Sequence, residues 1–261
     1  MNHVTTRGLL LLGLVTVCAT PVAAQGDFHW KGKIAAGKEI EIKGVNGDVR
    51  AVAGSGGETE VTATKRARRS NPDEVKIEVV QHEGAVTICA VYPSDGRRAN
   101  ECRPGEGGHM STRENDVVVE FTVHVPAGVK FVGKTVNGEV EAASLGGDVE
   151  AYTVNGGIHI STTGYAEATT VNGSIVAAMG KASWTDGVEF RTVNGGITLD
   201  LPPGLSAEVR AETVNGEIFT DFPLTVSGKL GPRRVTGMIG RGGRQLALST
   251  VNGNIRLRKA G

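Results

Sequence analysis

Thr-Val-Asn-Gly occurs six times in this chain, at 135–138, 153–156, 170–173, 192–195, 213–216 and 250–253, after a degenerate forerunner, Gly44-Val45-Asn46-Gly47. A short motif that returns at near-constant intervals restricts the fold to stacked units, because each unit must offer its neighbour the same surface. Successive asparagines stand 18, 17, 22, 21 and 37 residues apart. The longest gap divides into 21 and 16 if Val235-Thr236-Gly237-Met238-Ile239 is a worn copy.

The residue four places after each motif valine is aliphatic: Val136/Val140, Val154/Ile158, Val171/Ile175, Val193/Ile197, Val214/Ile218, Val251/Ile255 and Val45/Val49. Asn-Gly is the favoured pair for a two-residue hairpin turn, where both residues take positive φ. A hairpin would place Val and Ile on opposite faces; an open corner between strands that wind in one direction lets both point inward. The spacing therefore predicts an all-β, parallel β-solenoid of about six or seven coils. Its structural corners would be Asn46-Gly47, Asn137-Gly138, Asn155-Gly156, Asn172-Gly173, Asn194-Gly195, Asn215-Gly216 and Asn252-Gly253. On this reading the threonines form an outward row, the asparagines a row along the corner, and each glycine holds a backbone conformation closed to other residues. The last copy, at Asn252, would have one neighbouring coil. Leu145-Gly146-Gly147-Asp148-Val149, midway between the first two motifs, predicts a second corner in each coil.

The composition agrees: 38 glycines, 4% aromatic residues and no extended 3.6-residue apolar period after residue 24. Residues 1–24 read as a secretory signal, with Arg7, an apolar run from Gly8 to Ala19 and Val22-Ala23-Ala24 before a cleavage point. No later stretch has the length of a transmembrane helix. Removing the signal takes Arg7 from the 28 basic residues and nothing from the 28 acidic ones. That near-neutral balance argues against nucleic acid as a partner. The local exception, Lys65-Arg66-Ala67-Arg68-Arg69, reads first as a solvated strand end running into a turn, and second as a contact for a polyanion or lipid headgroup.

Residues 25–126 lack the short period and read as longer strands: 38–43, 59–66, 75–81, 85–91 and 117–125. Residues 127–261 form the repeat solenoid, continuous with them. Cys89 sits on the fourth of these strands and Cys102 in the Gly-rich loop 93–115. In an exported chain two cysteines thirteen residues apart predict a disulfide. A zinc site with His109 would lack a fourth ligand.

A polysaccharide-cleaving solenoid needs paired carboxylates, or a calcium cage of carboxylates, presented from successive coils. Asp148, Asp186, Asp200 and Asp221 fall at different places in their repeats, and His82, His109, His124 and His159 at unrelated ones. Gly-x-Ser-x-Gly elbows and phosphate-binding glycine loops do not occur. The reading is of no catalytic residue, no cofactor and no metal. Trp184, beside Asp186, is the one candidate aromatic contact, and a loop-anchoring role is read first. Uneven gaps between the threonines argue against an ice-binding array.

Several of these features together resemble a bacterial family of exported β-strand-repeat proteins, a domain of unknown function labelled "putative adhesin". They are 125–128 (Val-Pro-Ala-Gly) at a strand end, the Thr-Val-Asn-Gly repeats, 211–218 followed by Asp221-Phe222-Pro223, and Gly237-Met238-Ile239-Gly240 with Gly242-Gly243 before 246–248. The likeness runs from Glu39 to Leu257. It implies a β-solenoid in the cell envelope with an adhesion-like label. The first expectation is a binding or scaffold module, periplasmic or at the cell surface, for a protein or glycan ligand and without chemistry of its own. The competing expectation is an enzyme acting on envelope or extracellular polysaccharide. The Cys-containing loop departs from the family pattern.

Overall fold

The computed structural model describes residues 28–260 apart from 95, 97, 113, 183, 227–230 and 232; the expected signal, 1–24, lies outside the described residues. The non-repeating part holds β1 (Phe28–Gly32), β2 (Glu39–Lys43), β3 (Val49–Ala53), β4 (Thr59–Arg66), β5 (Lys76–His82), β6 (Ala85–Val91) and β7 (Val118–Val125). The repeats supply β8 (Lys130–Lys134), β9 (Val140–Leu145), β10 (Val149–Tyr152), β11 (Ile158–Thr162), β12 (Ala166–Thr169), β13 (Ile175–Met179), β14 (Val188–Arg191) and β15 (Ile197–Leu201). There follow β16 (Ala207–Asn215), β17 (Ile218–Thr220), β18 (Leu224–Val226), β19 (Arg234–Ile239), β20 (Gln245–Asn252) and β21 (Ile255–Lys259). A single 3₁₀ turn, Pro72–Glu74, is the one helical element among the described residues.

These strands make two long sheets. The front sheet runs β1-β4-β7-β3-β9-β11-β13-β15-β21-β17 and the back sheet β18-β19-β16-β20-β14-β12-β10-β8-β2-β6-β5. Pairing is parallel throughout the interior and antiparallel where β1, β4 and β5 close one end and β18 and β19 the other. Each motif carries the chain from back sheet to front sheet. The aliphatic residue that follows enters the front sheet in register with its counterparts, giving the column Val49, Val140, Ile158, Ile175, Ile197, Ile255 and Ile218. All but the half-buried Ile218 are inaccessible to solvent. The back sheet adds its own in-register inward row, Phe131, Val149, Ala166, Val188, Leu246 and Val209, to the same core. Aliphatic side chains fill most of the space between the sheets, with Phe121, Phe131 and Phe190 the largest of those fully buried.

The corner is where the structure departs from expectation. Thr135, Thr153, Thr170, Thr192, Thr213 and Thr250 point inward and are at most 5% exposed. Val136, Val154, Val171, Val214 and Val251 point outward at 37–50% exposure, and Val193 is half-buried. The expected orientation is thus reversed, because the buried hydroxyl finds a partner. Thr153 Oγ1 donates to the carbonyl of Gly138 in the coil before it (2.8 Å), and Thr170, Thr192 and Thr250 do the same to Gly156, Gly173 and Gly195. A buried hydroxyl so bonded costs little. Only in the forerunner, where Gly44 replaces the threonine, is the valine buried: Val45 is 5% exposed.

The glycines are required for a different reason from the one expected. Gly47 alone among the motif glycines has left-handed φ (+122°). At the others a Cβ atom would lie on the backbone of the neighbouring coil: 2.0 Å from the Gly138 carbonyl oxygen at Gly156, 1.9 Å from that of Gly156 at Gly173, and 2.1 Å from that of Gly173 at Gly195. Close approach, not backbone dihedral, selects glycine. Beside this seam the asparagine amides form a chain, Asn137 Nδ2 donating to Asn46 Oδ1 and so on through Asn155, Asn172, Asn194, Asn252 and Asn215, at 2.7–2.8 Å.

The order of that chain places Asn252 between Asn194 and Asn215. The β20–β21 unit lies between β14–β15 and β16–β17, so the last copy in sequence is interior and Asn215 ends the row. The same device appears at the other end, where β2–β3 stacks between β6–β7 and β8–β9. Residues 235–239, expected as a worn corner, instead lie in β19, antiparallel to β16; the long gap holds a folded-back strand.

Gly195→Ala should therefore destabilise by about 3 kcal/mol or more, since no rotamer relieves a Cβ held against backbone. Asn194→Ala removes two amide bonds and should cost about 1–2 kcal/mol; Asn252→Ala should match it, and Asn215→Ala, with one bond, should cost about half. Val193→Asp should be tolerated within about 1 kcal/mol, whereas Ile197→Asp should prevent folding. Thermal and denaturant unfolding of these variants reads all of them.

Candidate binding surface

With the Thr, Asn and Gly groups engaged between coils, the outward side chains of the two sheets are what the molecule presents. On the back sheet, parallel register sets Glu150, Glu167 and Glu189 side by side on β10, β12 and β14, about 4.8 Å apart. Burial and the neighbouring charges of Glu150, Glu189 and Asp186, only partly offset by Lys130, push the Glu167 carboxyl up to about 7. Lys130 pairs with Glu150 at 2.6 Å. The next row holds Tyr152, with the Lys134 ammonium 5.3 Å from its ring centre; burial raises the Tyr152 phenol well above its ordinary value.

The interior coil β20 carries small outward residues, Ala247 and Ser249. Glu189 and Arg191 stand on one side of them and Arg210 and Glu212 on the other, leaving a trough along the strand. Arg234 pairs with Glu212, which lowers that carboxyl.

Toward β6 the back sheet is covered. Cys89 and Cys102 form a disulfide with Cα atoms 5.7 Å apart, which excludes zinc ligation by these thiols, and the 98–112 segment lies across β2 and β6. Lys43 Nζ donates to the carbonyls of Arg103 (2.6 Å), Gly105 (2.6 Å) and Gly107 (3.1 Å). Beneath the segment Glu41, 1% exposed, accepts from Thr87 Oγ1 and from Gly105 N, and Lys134 Nζ approaches it at 3.0 Å. Burial lowers Lys43; Lys134 is raised despite burial because Glu106 and Glu41 hold its proton.

The remaining residues singled out in the sequence do not converge. Asp148 pairs with Lys181 and accepts from Tyr165 N at the second corner; Asp200 pairs with Arg258, and Asp221 accepts from Lys259 N. His82 meets Thr87, His109 lies in the covering segment, and His124 and His159 lie on the front sheet. Trp184 is 9% exposed and donates to the Gln245 carbonyl, an anchor and not a contact platform. In the basic run Arg66 pairs with Glu120 and Lys65 Nζ donates to the Val75 carbonyl, while Asp116 accepts the backbone N–H groups of Arg68, Arg69 and Ser70. Among the described residues no group of three or more metal-ligating side chains occurs, and no helix is long and apolar enough to cross a membrane. Sequence reasoning missed the glutamate row. Its signal, Glu two places into three successive back-sheet strands, becomes legible only once the coils are in register.

A carboxyl whose folded pKa is raised is stabilised most while protonated. The contribution of Glu167 is full below about pH 4.5 and is lost as pH rises to about 7. Glu167→Gln should flatten that part of the stability–pH profile and raise stability above pH 7 by about 1 kcal/mol, after allowing for the screening of a half-exposed group. Melting curves between pH 4 and 8 measure it.

No curated protein matches the sequence. Among solved structures, the chain is similar to a putative cell adhesion protein from Clostridium sporogenes ATCC 15579 (9% identity, 90% of this chain and 100% of that one, TM-score 0.45). It is also similar to a putative adhesin from Bacteroides fragilis NCTC 9343 (12%, 89% and 97%, TM-score 0.29). A third is a putative lipid binding protein from Parabacteroides distasonis ATCC 8503 (11%, 91% and 98%, TM-score 0.31). With TM-scores below 0.5 these proteins lend the chain neither a site nor a ligand. The family model described as Toastrack DUF4097 matches residues 129–258, the part in which the motif repeats most regularly. Through that stretch, the chain belongs to the Toastrack DUF4097 family.

Proposed function

We propose that this chain is an exported cell-envelope β-solenoid of seven Asn-cornered coils that serves as an adhesin-like binding or scaffold module without catalysis. On this reading residues 25–126 and 127–261 act as one continuous unit after loss of the signal 1–24, in the periplasm or at the cell surface. One observation carries it: the repeated polar groups are spent on one another, Thr on Gly and Asn on Asn, so the coils form a rigid bar whose outward residues differ from coil to coil. The motif residues are then structural, and recognition belongs to the faces. The disulfide fits an oxidising compartment. The partner would be an envelope or extracellular protein or glycan, and neither nucleic acid nor a cofactor enters the reading.

The glutamate row gives the polysaccharide-hydrolase reading its foothold. A carboxyl pushed up to about 7, flanked by two others on strands about 4.8 Å apart, sets a proton donor beside further carboxyl groups, as a glycosidase requires. Here, however, the row stands on the open outer face of the sheet.

The mature protein should bind saturably in a screen of glycans and envelope fractions. Ala247→Trp, which fills the trough, should weaken that binding, while Asn194→Ala should lower only the melting temperature. Release of reducing sugar that disappears in Glu167→Gln would replace the binding reading with the hydrolase.

A further inference from the structure

Residues 98–112 cover the back sheet while burying almost nothing of themselves. Cys102 is the one buried residue among the described members of the segment. It belongs to a satellite cluster, separate from the main core, whose three buried members are Cys89, Val91 and Cys102, with Val80 and Met110 packed alongside. Two of the three are the bridged cysteines. Met110 also packs against the main core, and the remaining attachments are polar: Asn100 to the Tyr92 carbonyl, Lys43 to three carbonyls, Lys134 to the Gly105 carbonyl and to Glu106, and Gly105 N to Glu41. The segment is internally coherent, since Asn100 bonds Ser111 through both its amide groups and the Glu101 and His109 backbones pair. It can move as one piece.

We infer that the 98–112 segment is a redox-locked strap, held over Glu41, Lys43 and Lys134 by the Cys89–Cys102 bond and released when a dithiol reductant cleaves that bond. The balance between the two positions follows from what each attachment gains on release. Glu41 and the two ammonium groups are desolvated under the strap and recover hydration when it lifts, which offsets the loss of their hydrogen bonds. The small apolar cluster loses one of its three buried members as the strap leaves. Apart from the apolar contacts of Met110, the covalent bond is the one attachment that water does not replace.

The chemistry is a two-electron exchange. The thiolate of a thioredoxin-type dithiol attacks Cys102 Sγ, the less buried of the pair at 6% against 0% for Cys89. A mixed disulfide forms, and Cys89 leaves as a thiolate that takes up a proton. The second thiol of the reductant then displaces Cys102, yielding two thiols on this chain and a disulfide on the reductant. Lifting the strap uncovers a carboxylate and two lysines beside Tyr152, changing the charge pattern that the back sheet offers to a partner. The inference stands whichever ligand the surface takes.

Hydrogen exchange of the full mature protein, oxidised and after dithiothreitol, tests it. The amide of Gly105 donates to Glu41 beneath the strap, whereas those of Glu101, His109 and Ser111 are bonded within it. Gly105 should exchange at least about tenfold faster after reduction, while Asn155 and Asn172, at the corners, keep their protection. Cys89, buried in the closed form, should then alkylate with iodoacetamide as fast as Cys102. The C89S/C102S double variant should show the open pattern without reductant, and reoxidation of the native chain should restore protection. A Gly105 amide that remains protected in both reduced and double-variant protein would overturn the inference. Loss of protection at the corners as well would also overturn it, making the bond a staple for the whole fold.

Discussion

The architecture depends on how closely one coil's backbone approaches the next at the motif corner. The carbonyl oxygen of one motif glycine sits where a side chain of the neighbouring glycine would begin, 1.9–2.1 Å from an added Cβ at each of the six Thr-Val-Asn-Gly copies. That contact leaves no room for substitution, and it presents the carbonyl to the incoming threonine hydroxyl. The Thr–Gly bonds inside the corner and the Asn–Asn bonds outside it both follow from this approach. Removing one asparagine loosens a row, whereas giving one glycine a side chain pushes two coils apart.

Much of this was legible in the motif, and some of it was legible backwards. The period announced stacked strands; the Val-to-Ile spacing favoured a corner over a hairpin only on the premise that both residues point inward, which the outward valines contradict. It misled on orientation, because counting apolar residues assigns the inside to Val and the outside to Thr. Thr153 is buried since its hydroxyl reaches the Gly138 carbonyl, and that partner lies in another coil, out of reach of any local pattern. The strands of the first part were readable from alternation, yet β1 and β3 were not singled out: both are five residues long, and β3 gains its place only by pairing with β7 and β9. Position in the stack was illegible for the same reason. Nothing in the residues around Asn252 says that its neighbours are Asn194 and Asn215.

The outward faces divide the labour differently. The front sheet carries ion pairs across strands, such as Arg50 with Glu141 and Arg258 with Asp200, which hold charge in balance at its surface. The back sheet keeps like charges adjacent in the glutamate row and burdens its covered end with a buried carboxylate. Arrangements that cost stability need a reason beyond stability. On the proposed reading, recognition falls to the back sheet.

The interleaved order of the coils also governs how the chain acquires its structure. A solenoid built in sequence order can add one coil at a time as residues appear. Here β16–β17 cannot take its final neighbour until residues 245–259 have been made, because that later unit comes between it and β14–β15. The same holds for β2–β3, whose partners β6–β7 come about forty residues or more later. Both ends of the bar must wait with an open slot, and parallel edges left open are the places where two chains exchange segments. A chain made amino end first thus reaches its native order only after its last strand has emerged, so its folding is set by completion and not by growth.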